Sequence, residues 1–303
     1  MMPSTLISVA LCTYNGEKYI EEQLHSILNQ TYQNLEIIIV DDCSTDNTWA
    51  IIKSYATKDT RIKYFKNNEN IGFNKNFEKA ISLTSGDFIA LSDQDDIWKP
   101  FKLELLLKNI DDNWLIFSNS SYINENGDPA NKDLLQNFSL IQKSYKSILL
   151  HNWVTGHTTL FTRKLLNYIM PFPESGFYDW WIGFVAIYHH KITYLDKVLT
   201  FYRAHTNSVI QKELQMSYRK YKKYQLNSTI MMLTAFINYK NVVDLDKNFI
   251  SNLLNALLFK KRYLIIIPLL SMIYSNYNEF YSDRKKREGL SKLNFAYKIA
   301  KSI

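Results

Sequence analysis

Short apolar runs alternate with amphipathic segments along the first 110 residues of the chain. A short apolar run is typical of a buried strand, whereas apolar positions three and four residues apart indicate a helix. The pattern predicts strands at 6–11, 36–40, 62–65 and 88–91, and helices at 17–30, 47–56, 73–82 and 101–110. Because strands alternate with helices, we expect an α/β fold in which helices cover both faces of a mostly parallel sheet.

After residue 110 the pattern becomes less regular. It predicts further elements, namely a strand at 114–118, a surface loop at 128–137, a helix at 178–189, and strands at 192–195 and 198–203. From about residue 208 onwards, Lys, Tyr and Leu interleave in a way that favours helices. We therefore expect two domains, an α/β domain at 1–210 and a basic, aromatic-rich helical region at 211–303.

The charge of the 303-residue chain, formally +7, divides at the same place. Residues 1–210 carry a net charge of −4 and residues 211–303 a net charge of +11. A basic region of this kind favours an anionic partner, and peripheral membrane contact suits its apolar faces. An ordinary helical subdomain with a solvated basic face is the alternative, and a second subunit in a homodimer is also left open. No nucleic-acid-binding motif accompanies the charge, so we expect no nucleic-acid partner.

Features that report on the compartment favour the cytoplasm. Cys12 and Cys43 lack metal-ligand spacing and are typical of reduced thiols. The N-terminus lacks the pattern of a signal peptide. The longest apolar run, at 263–273, is shorter than the ~20 residues that span a bilayer. We expect a cytoplasmic protein that contacts the inner face of the cell membrane through 211–303, if it contacts membrane at all.

Polar clusters follow three of the predicted strands, at 13–15, at 41–42 and at 93–96. Ligands of parallel α/β sheets bind beyond the carboxyl ends of the strands, so these clusters predict one site. The acidic run Asp93-Gln94-Asp95-Asp96 suits a hard divalent cation, Mg²⁺ or Mn²⁺, shared with substrate phosphates. A capped turn before Pro100 is the alternative. Asp42 suits a ribose hydroxyl or a base N–H, and an Asx turn explains it equally well.

Three side chains further along are candidates with ordinary alternatives. Asp179 lies beside two Trp residues, where desolvation would raise its pKa and favour general-base chemistry; a first-turn helix Asp is the alternative. His205 could bind a metal as neutral imidazole or lie at the surface. The same choice applies to His157, and Gly156 beside it allows a ligand to approach the backbone closely.

The chain resembles family 2 glycosyltransferases of the GT-A fold. Four blocks carry the resemblance, in the expected order, at 8–16 (SVALCTYNG), 40–48 (VDDCSTDNT), 70–72 (NIG) and 93–96 (DQDD). It covers roughly residues 5–207 and implies a nucleotide-binding, mostly parallel mixed sheet flanked by helices. The later blocks 153–163, 179–181 and 202–207 are most similar to bacterial rhamnosyltransferases of surface-polysaccharide biosynthesis. His157 departs from the small residue or Cys often found at its position.

The resemblance also implies roles for individual residues. The residues near the nucleotide-sugar would be Thr13, Asn15, Glu17, Asp42, Asp93, Gly156 and His157. Asp93 and Asp95 match the metal-binding acids, Asp96 the acid that often follows, and His205 a late histidine that often completes the metal or diphosphate site. Asp179 matches the catalytic base.

We therefore expect an inverting, metal-dependent glycosyltransferase. Its donor would be a nucleoside-diphosphate sugar, dTDP-rhamnose ahead of a UDP-hexose, and its acceptor a growing or lipid-linked glycan. A metal-dependent nucleotide-sugar phosphohydrolase and a non-catalytic sugar-binding protein are the alternatives. A dinucleotide oxidoreductase is disfavoured because no G-x-G-x-x-G follows the first strand.

Overall fold

The computed structural model describes residues 5–205, 216–282 and 284–303, and within them the chain forms two compact units. The first unit consists of residues 5–136, 154–172 and 189–205. The second consists of residues 137–153, 173–188 and the described residues from 216 onwards. The predicted division into 1–210 and 211–303 falls outside the described residues and stays a prediction.

The first unit is built on one sheet with helices packed against it. Its strands are β1 (Ile7–Thr13), β2 (Leu35–Asp41), β3 (Ile62–Lys66), β4 (Phe88–Ser92), β5 (Ile97–Trp98), β6 (Leu115–Ile123), β7 (Pro129–Asp133), β8 (Thr159–Thr162) and β9 (Ile192–Arg203). Its helices are α1 (Ile20–Leu28), α2 (Thr48–Ala56), α3 (Phe73–Ser82), α4 (Lys102–Asn109) and α5 (Leu166–Ile169).

The sheet is mixed, as expected. Its strand order is β3-β2-β1-β4-β8-β6-β9-β5, with β7 paired to β6. Strands β1 to β4 pair in parallel with one another, and β6 pairs in parallel with β9. Strand β8 joins these two groups by antiparallel pairing to β4 and β6, and β5 is antiparallel to β9. The parallel half matches the strand–helix alternation in the sequence.

Helices cover both faces of the parallel half. Ile7, Val9 and Leu11 of β1 point to one face and join a core that includes buried residues of α1, α2 and α4. The opposite face is covered by α3, which packs on β1 and β2 through its buried Phe77 and Ile81. Strands β1 and β2 are buried at every position, which explains why they read as continuous apolar runs in the sequence.

Two predictions in the less regular half were wrong in detail. The predicted loop at 128–137 contains strand β7, which pairs antiparallel with β6. Its sequence PANKD is polar and mostly exposed, so it has no apolar alternation that could identify a strand. The two strands predicted at 192–195 and 198–203 are one strand, β9, whose register against β6 shifts near Asn119.

The second unit is helical. Its helices are α6 (Tyr178–Tyr188), α7 (Tyr218–Ile237), α8 (Asp244–Tyr263), α9 (Ile267–Ser275), α10 (Tyr277–Phe280) and α11 (Gly289–Ser302). Aromatic rings dominate its interior; the rings of Phe184 and Phe236 stack with centroids 3.9 Å apart. Among the described helices, none has both the length and the apolar character that a bilayer crossing requires.

Candidate active site

The carboxyl ends of three strands meet at one edge of the sheet. Thr13 at the end of β1 is opposite Asp41 at the end of β2, and Leu11 is opposite Ser92 at the end of β4. The three polar clusters predicted from the sequence therefore begin side by side. This edge is where ligands of parallel α/β sheets bind.

Side chains of the first two clusters hold each other in place. Thr13 Oγ1 donates to Asp41 Oδ1 at 3.0 Å. The amide of Asn15 accepts from the Thr45 backbone N–H at 2.9 Å. Glu17 Oε2 accepts from the Asn47 N–H, also at 2.9 Å. The loop after β1 and the loop after β2 are thus joined by side chains that the sequence assigns to nucleotide binding, and that binding role stays a prediction.

Asp42 holds a third loop. It is 3% exposed, and its carboxylate accepts hydrogen bonds from the backbone N–H groups of Ile71 and Gly72, each at 2.9 Å. It also accepts from Asn67 Nδ2 at 2.8 Å. Gly72 stands directly before α3 with a positive φ of 82°, a backbone conformation that glycine adopts without strain. Asp42 therefore connects the second and third blocks of the resemblance, in addition to its predicted place near the nucleoside.

The acidic segment is attached to the loop after β1 by Gln94. Its amide accepts from Tyr14 N–H at 2.8 Å and donates to Tyr14 C=O at 3.0 Å. Gly16 makes room for this side chain, because a Cβ at Gly16 would lie 2.2 Å from Gln94 Oε1. Gln94, the second residue of the acidic run, therefore has a structural role: it fixes this segment to the loop after β1.

Asp93, Asp96 and His157 bring one ligand atom each to within 4.8 Å of one another. His157 Nδ1 lies 3.6 Å from Asp96 Oδ2 and 4.0 Å from Asp93 Oδ2. The register of β4 and β8 explains the meeting. These strands pair Ala90 with Leu160, and Asp93 and His157 each lie three residues beyond this last pair, at the same end of the ladder.

The other two predicted ligands, Asp95 and His205, form a pair of their own. His205 Nε2 lies 2.7 Å from Asp95 Oδ2. Arg203, which was not predicted from the sequence, connects the end of β9 to the acidic segment. Its Nε donates to the Asp95 carbonyl at 2.9 Å, and its backbone N–H donates to Asp96 Oδ1 at 3.3 Å. Arg203 is 2% exposed and also forms an ion pair with Glu22.

Burial shifts the pKa values of two members of this cluster, Asp96 and His157. It raises the pKa of Asp96 well above its ordinary value, and the neighbouring Asp95 and Asp93 raise it further. Burial also lowers the pKa of His157 to about 3, helped by the positive charge of Lys102. His157 is therefore neutral at pH 7, and its contact with Asp96 is not an ion pair. Ser120 Oγ lies 3.2 Å from His157 Nε2, so an Nε2–H that donates to it leaves the Nδ1 lone pair facing the acids.

These residues fit a divalent cation. Among the buried side-chain atoms of the described residues, Asp96 Oδ2 is one of the few with no hydrogen-bond partner, although Asp96 is fully buried. A buried carboxylate oxygen without a partner is costly unless a ligand satisfies it. Two carboxylates and a neutral imidazole suit Mn²⁺, and carboxylates alone suit Mg²⁺. Asp93, Asp96 and His157 would hold the ion.

The remaining predicted residues lie in two different places. Gly156 begins a buried 3-10 turn, Gly156–Thr158, that presents His157. Asp179 is the second residue of α6 in the second unit, where its Oδ1 accepts from the Trp180 N–H at 2.7 Å. The aromatic side chains beside Asp179 in sequence, Tyr178 and Trp180, are both buried. Its role as base stays a prediction.

Two buried basic residues at the site were not identified from the sequence. Besides Arg203, Lys102 is fully buried; its Nζ donates to the His157 carbonyl at 2.5 Å and lies 3.5 Å from the Trp98 ring centroid. Arg203 offsets the charge of the acidic run. Burial lowers the pKa of Lys102 well below its ordinary value, and the nearby Asp96 and Asp93 oppose this shift. The signal available for Lys102 was its spacing, since it lies one and four residues before Leu103 and Leu106 on the buried face of α4. For Arg203 the available signal was its place at the end of the predicted strand 198–203.

Comparison with known proteins agrees with the fold and identifies the family. The model of Glycosyl transferase family 2 matches residues 8–170, more than half of the chain. An uncharacterised glycosyltransferase of Methanocaldococcus jannaschii is 33% identical over 242 residues, which cover 75% of this chain and 81% of that protein. The Escherichia coli UDP-Glc:alpha-D-GlcNAc-diphosphoundecaprenol beta-1,3-glucosyltransferase WfaP is 31% identical over 208 residues, covering 67% of this chain and 79% of that protein.

Solved structures share the fold. S. aureus TarS in complex with UDP-GlcNAc superposes with a TM-score of 0.64 at 18% identity, covering 98% of this chain and 90% of that one. The mannosyltransferase PcManGT from Pyrobaculum calidifontis, in complex with GDP-Man and Mn²⁺, gives 0.57 at 16% identity, covering 99% and 81%. The expected GT-A type fold is thus confirmed. With the family match and the relatives, it shows that the chain belongs to glycosyltransferase family 2 and is a glycosyltransferase.

Proposed function

We propose that this glycosyltransferase moves a hexose from a nucleoside-diphosphate donor to a lipid-linked or growing glycan of a surface polysaccharide, in the cytoplasm and with inversion at the anomeric carbon. The observation that carries the proposal is the group formed by Asp93, Asp96 and His157 at the carboxyl edge of the sheet. A group of this kind, beside loops suited to a nucleoside, is what a sugar diphosphate needs.

The cation site of the proposal consists of Asp93, Asp96 and His157. When bound, a divalent cation supplies positive charge to the departing diphosphate. Asp95 and His205, the other two expected ligands, lie beside this group as a hydrogen-bonded pair, and we propose that they face the diphosphate rather than complete the first set of ligands. Mn²⁺ is preferred over Mg²⁺ in this proposal because one ligand is an imidazole.

Proton transfer belongs to Asp179 in this proposal. The acceptor hydroxyl attacks the anomeric carbon as the bond to the diphosphate oxygen breaks, and the hydroxyl proton passes to the Asp179 carboxylate. A single displacement of this type inverts the configuration. The position of Asp179 in the first turn of α6, between buried aromatic residues, supports a fixed orientation for its side chain.

The donor is best supported as a UDP-hexose. WfaP and a second E. coli relative, WfgD, are both named for transfer from UDP-glucose to a diphosphoundecaprenol-linked sugar, and TarS was solved with UDP-GlcNAc. These names favour a uridine nucleotide over dTDP-rhamnose, the donor placed first from sequence, and they support a polyprenyl diphosphate-linked acceptor.

A transfer assay with purified protein tests the proposal. UDP-glucose, UDP-GlcNAc and dTDP-rhamnose are each incubated with a polyprenyl diphosphate-linked GlcNAc acceptor, with Mn²⁺, with Mg²⁺, or with a chelator. We expect an elongated product from a UDP-hexose, in the presence of a divalent cation and not with the chelator. Release of UDP at the same rate without acceptor would instead indicate the phosphohydrolase.

The Asp179→Asn variant tests the base. We expect transfer to fall by about 10²–10⁴-fold with donor affinity unchanged by calorimetry, since the amide cannot accept the proton. Glu174→Gln, an exposed acid of the same segment, is the matched control and should transfer like the wild type. Normal turnover by Asp179→Asn would exclude this residue as the base.

A further inference from the structure

An open apolar groove lies between two helices of the second unit, α9 and α11. It has a volume of about 690 Å³ and is lined by Leu270, Leu290, Ser291, Leu293, Asn294 and Tyr297. Ile267 lies one turn before Leu270 on α9, and Leu264 lies in the left-handed turn between α8 and α9. The α9–α11 face is defined here as Leu264, Ile267, Leu270, Leu290, Leu293 and Tyr297.

The large apolar side chains of this face are exposed to an unusual extent. Leu264 is 84% exposed, Leu290 83% and Ile267 69%. A single exposed leucine needs no explanation, but several around one groove mark a surface that binds something apolar.

Positive charge predominates around the α9–α11 face, where Glu288, just before α11, is the nearest acid in the sequence. The segments 258–275 and 289–303 contain no Asp or Glu and six basic residues, Lys260, Lys261, Arg262, Lys292, Lys298 and Lys301. Several of these cations lie over aromatic rings; Lys292 Nζ is 4.6 Å from the Tyr274 ring centroid, and the Arg262 guanidinium is 5.2 Å from that of Tyr263. Apolar side chains in the centre with Lys, Arg and Tyr around them are the pattern of a protein surface that enters a lipid headgroup layer.

We propose that the α9–α11 face docks on an anionic lipid bilayer and lies in the headgroup region without crossing it. The inference deepens the proposed function and rests on it for one point, that the acceptor is lipid-linked. Docking would hold the enzyme at the surface where such an acceptor is embedded. Interfacial helices of this kind bury their apolar side chains ~5–10 Å deep, which suits a short exposed patch.

A second copy of the chain fits the same face less well. A symmetric contact through the α9–α11 face would bring the six cations of one copy against the same six of the other, and like charges at an interface are unfavourable. Anionic headgroups neutralise these cations and cover the leucines at the same time. Charge complementarity therefore favours the bilayer.

Vesicle flotation without any sugar donor tests the docking. The full chain is mixed with vesicles of phosphatidylcholine alone or of phosphatidylcholine with phosphatidylglycerol. We expect binding to the anionic vesicles that weakens as salt is raised. The double variant Leu264→Ser/Leu290→Ser should bind on the order of a hundred-fold more weakly, since two exposed leucines no longer insert. The double variant Lys261→Gln/Lys298→Gln should bind roughly ten-fold more weakly and with less salt dependence.

Leu245→Ser is the matched control. Leu245 is 79% exposed, in the first turn of α8 and outside the α9–α11 face, so its replacement should leave vesicle binding unchanged. Equal binding by the wild type and Leu264→Ser/Leu290→Ser would overturn the inference. So would absence of wild-type binding, or a wild-type dimer that this variant loses while vesicles are not bound.

Transfer to a short, water-soluble diphosphate-linked acceptor separates the two proposals. The Leu264→Ser/Leu290→Ser variant should keep this activity. Vesicle binding without transfer to any acceptor would refute the proposed function and leave the docking intact, whereas transfer without vesicle binding would do the reverse.

Discussion

Two buried carboxylates at opposite ends of the same sheet differ in how they are satisfied. Glu36, near the start of β2, accepts hydrogen bonds from Ser8 Oγ at 2.5 Å, from Ser85 Oγ at 2.8 Å and from the Gly86 N–H at 3.1 Å. Asp96, after the end of β4, has one oxygen with no partner and acidic neighbours. Their residues are 5% and 0% exposed. Both side chains are thus shielded from solvent, Asp96 the more deeply, and hydrogen-bond partners distinguish them further.

We interpret the difference as one between a structural acid, Glu36, and a proposed cation ligand, Asp96. Burial alone would raise the pKa of Glu36, but hydrogen bonds from Ser8 and Ser85 overcome it and lower the pKa to about 2. For Asp96, burial and like charges act together and raise the pKa. A protein that leaves a buried carboxylate in this condition loses stability, and a cation bound at the site restores what is lost. The same substitution, carboxylate to amide, should therefore have opposite consequences at the two ends.

Asp96→Asn should have the largest effect. The amide keeps the size of the side chain and can still accept the Arg203 N–H, but it removes a cation ligand. We expect transfer to fall on the order of a hundred-fold or more, and Mn²⁺ affinity, measured by calorimetry, to fall with it. The thermal midpoint of the cation-free protein should stay the same or rise, because a buried carboxyl group with a raised pKa costs stability at neutral pH and the amide does not.

Asp111→Asn is the control for Asp96→Asn. Asp111 is exposed and has a positive φ of 46°, which Asn tolerates, so the variant should behave like the wild type in all three measurements. A lowered thermal midpoint together with wild-type Mn²⁺ affinity in Asp96→Asn would reverse the assignment and make Asp96 the structural acid.

Glu36→Gln should affect stability instead. The amide nitrogen would face donors only, so at least one of the bonds from Ser8, Ser85, Gly86 or Lys63 is lost. We expect a loss of about 2–3 kcal/mol in the free energy of unfolding by urea titration. Mn²⁺ affinity and turnover per folded molecule should not change. A loss of Mn²⁺ affinity equal to that of Asp96→Asn would show that the two ends are not independent.

The functional end was largely predictable from sequence, because buried parallel strands are continuous apolar runs and their ends are marked by polar residues. The positions of Thr13, Asp42 and Asp93 follow from that pattern alone. The meeting of Asp96 with His157 does not. It depends on the antiparallel pairing of β4 with β8, and short strand β8 lacks a pattern that predicts its partner or register. Local patterns specify strands, whereas long-range pairing specifies which strand ends meet.

Gly16→Ala tests how the functional end is held, and its effect should be smaller. A methyl group 2.2 Å from Gln94 Oε1 forces that side chain away from Tyr14 and breaks both of its hydrogen bonds to the Tyr14 backbone. We expect Mn²⁺ affinity to fall by roughly ten-fold, as is common when a residue that supports metal ligands is lost. Gln94→Ala should do the same, and the double variant should be no worse than Gln94→Ala alone. Additive losses would show that Gly16 acts by another route.

The pH dependence of stability should give the smallest signal and sharpen the comparison at the structural end. A carboxylate with a lowered folded-state pKa stabilises the protein above its ordinary pKa, and this contribution is lost as the pH falls towards the folded-state pKa. For Glu36 the window runs from 4.5 down to about 2. The thermal midpoint of the wild type should therefore fall more steeply across this window than that of Glu36→Gln. Other carboxylates with lowered pKa values, such as Asp59 beside Arg61, are common to both proteins, so the difference between the two curves isolates Glu36. Parallel curves would mean that the hydrogen bonds of Glu36 do not lower its pKa. The contrast with Asp96 would then rest only on Asp96 Oδ2, which has no hydrogen-bond partner.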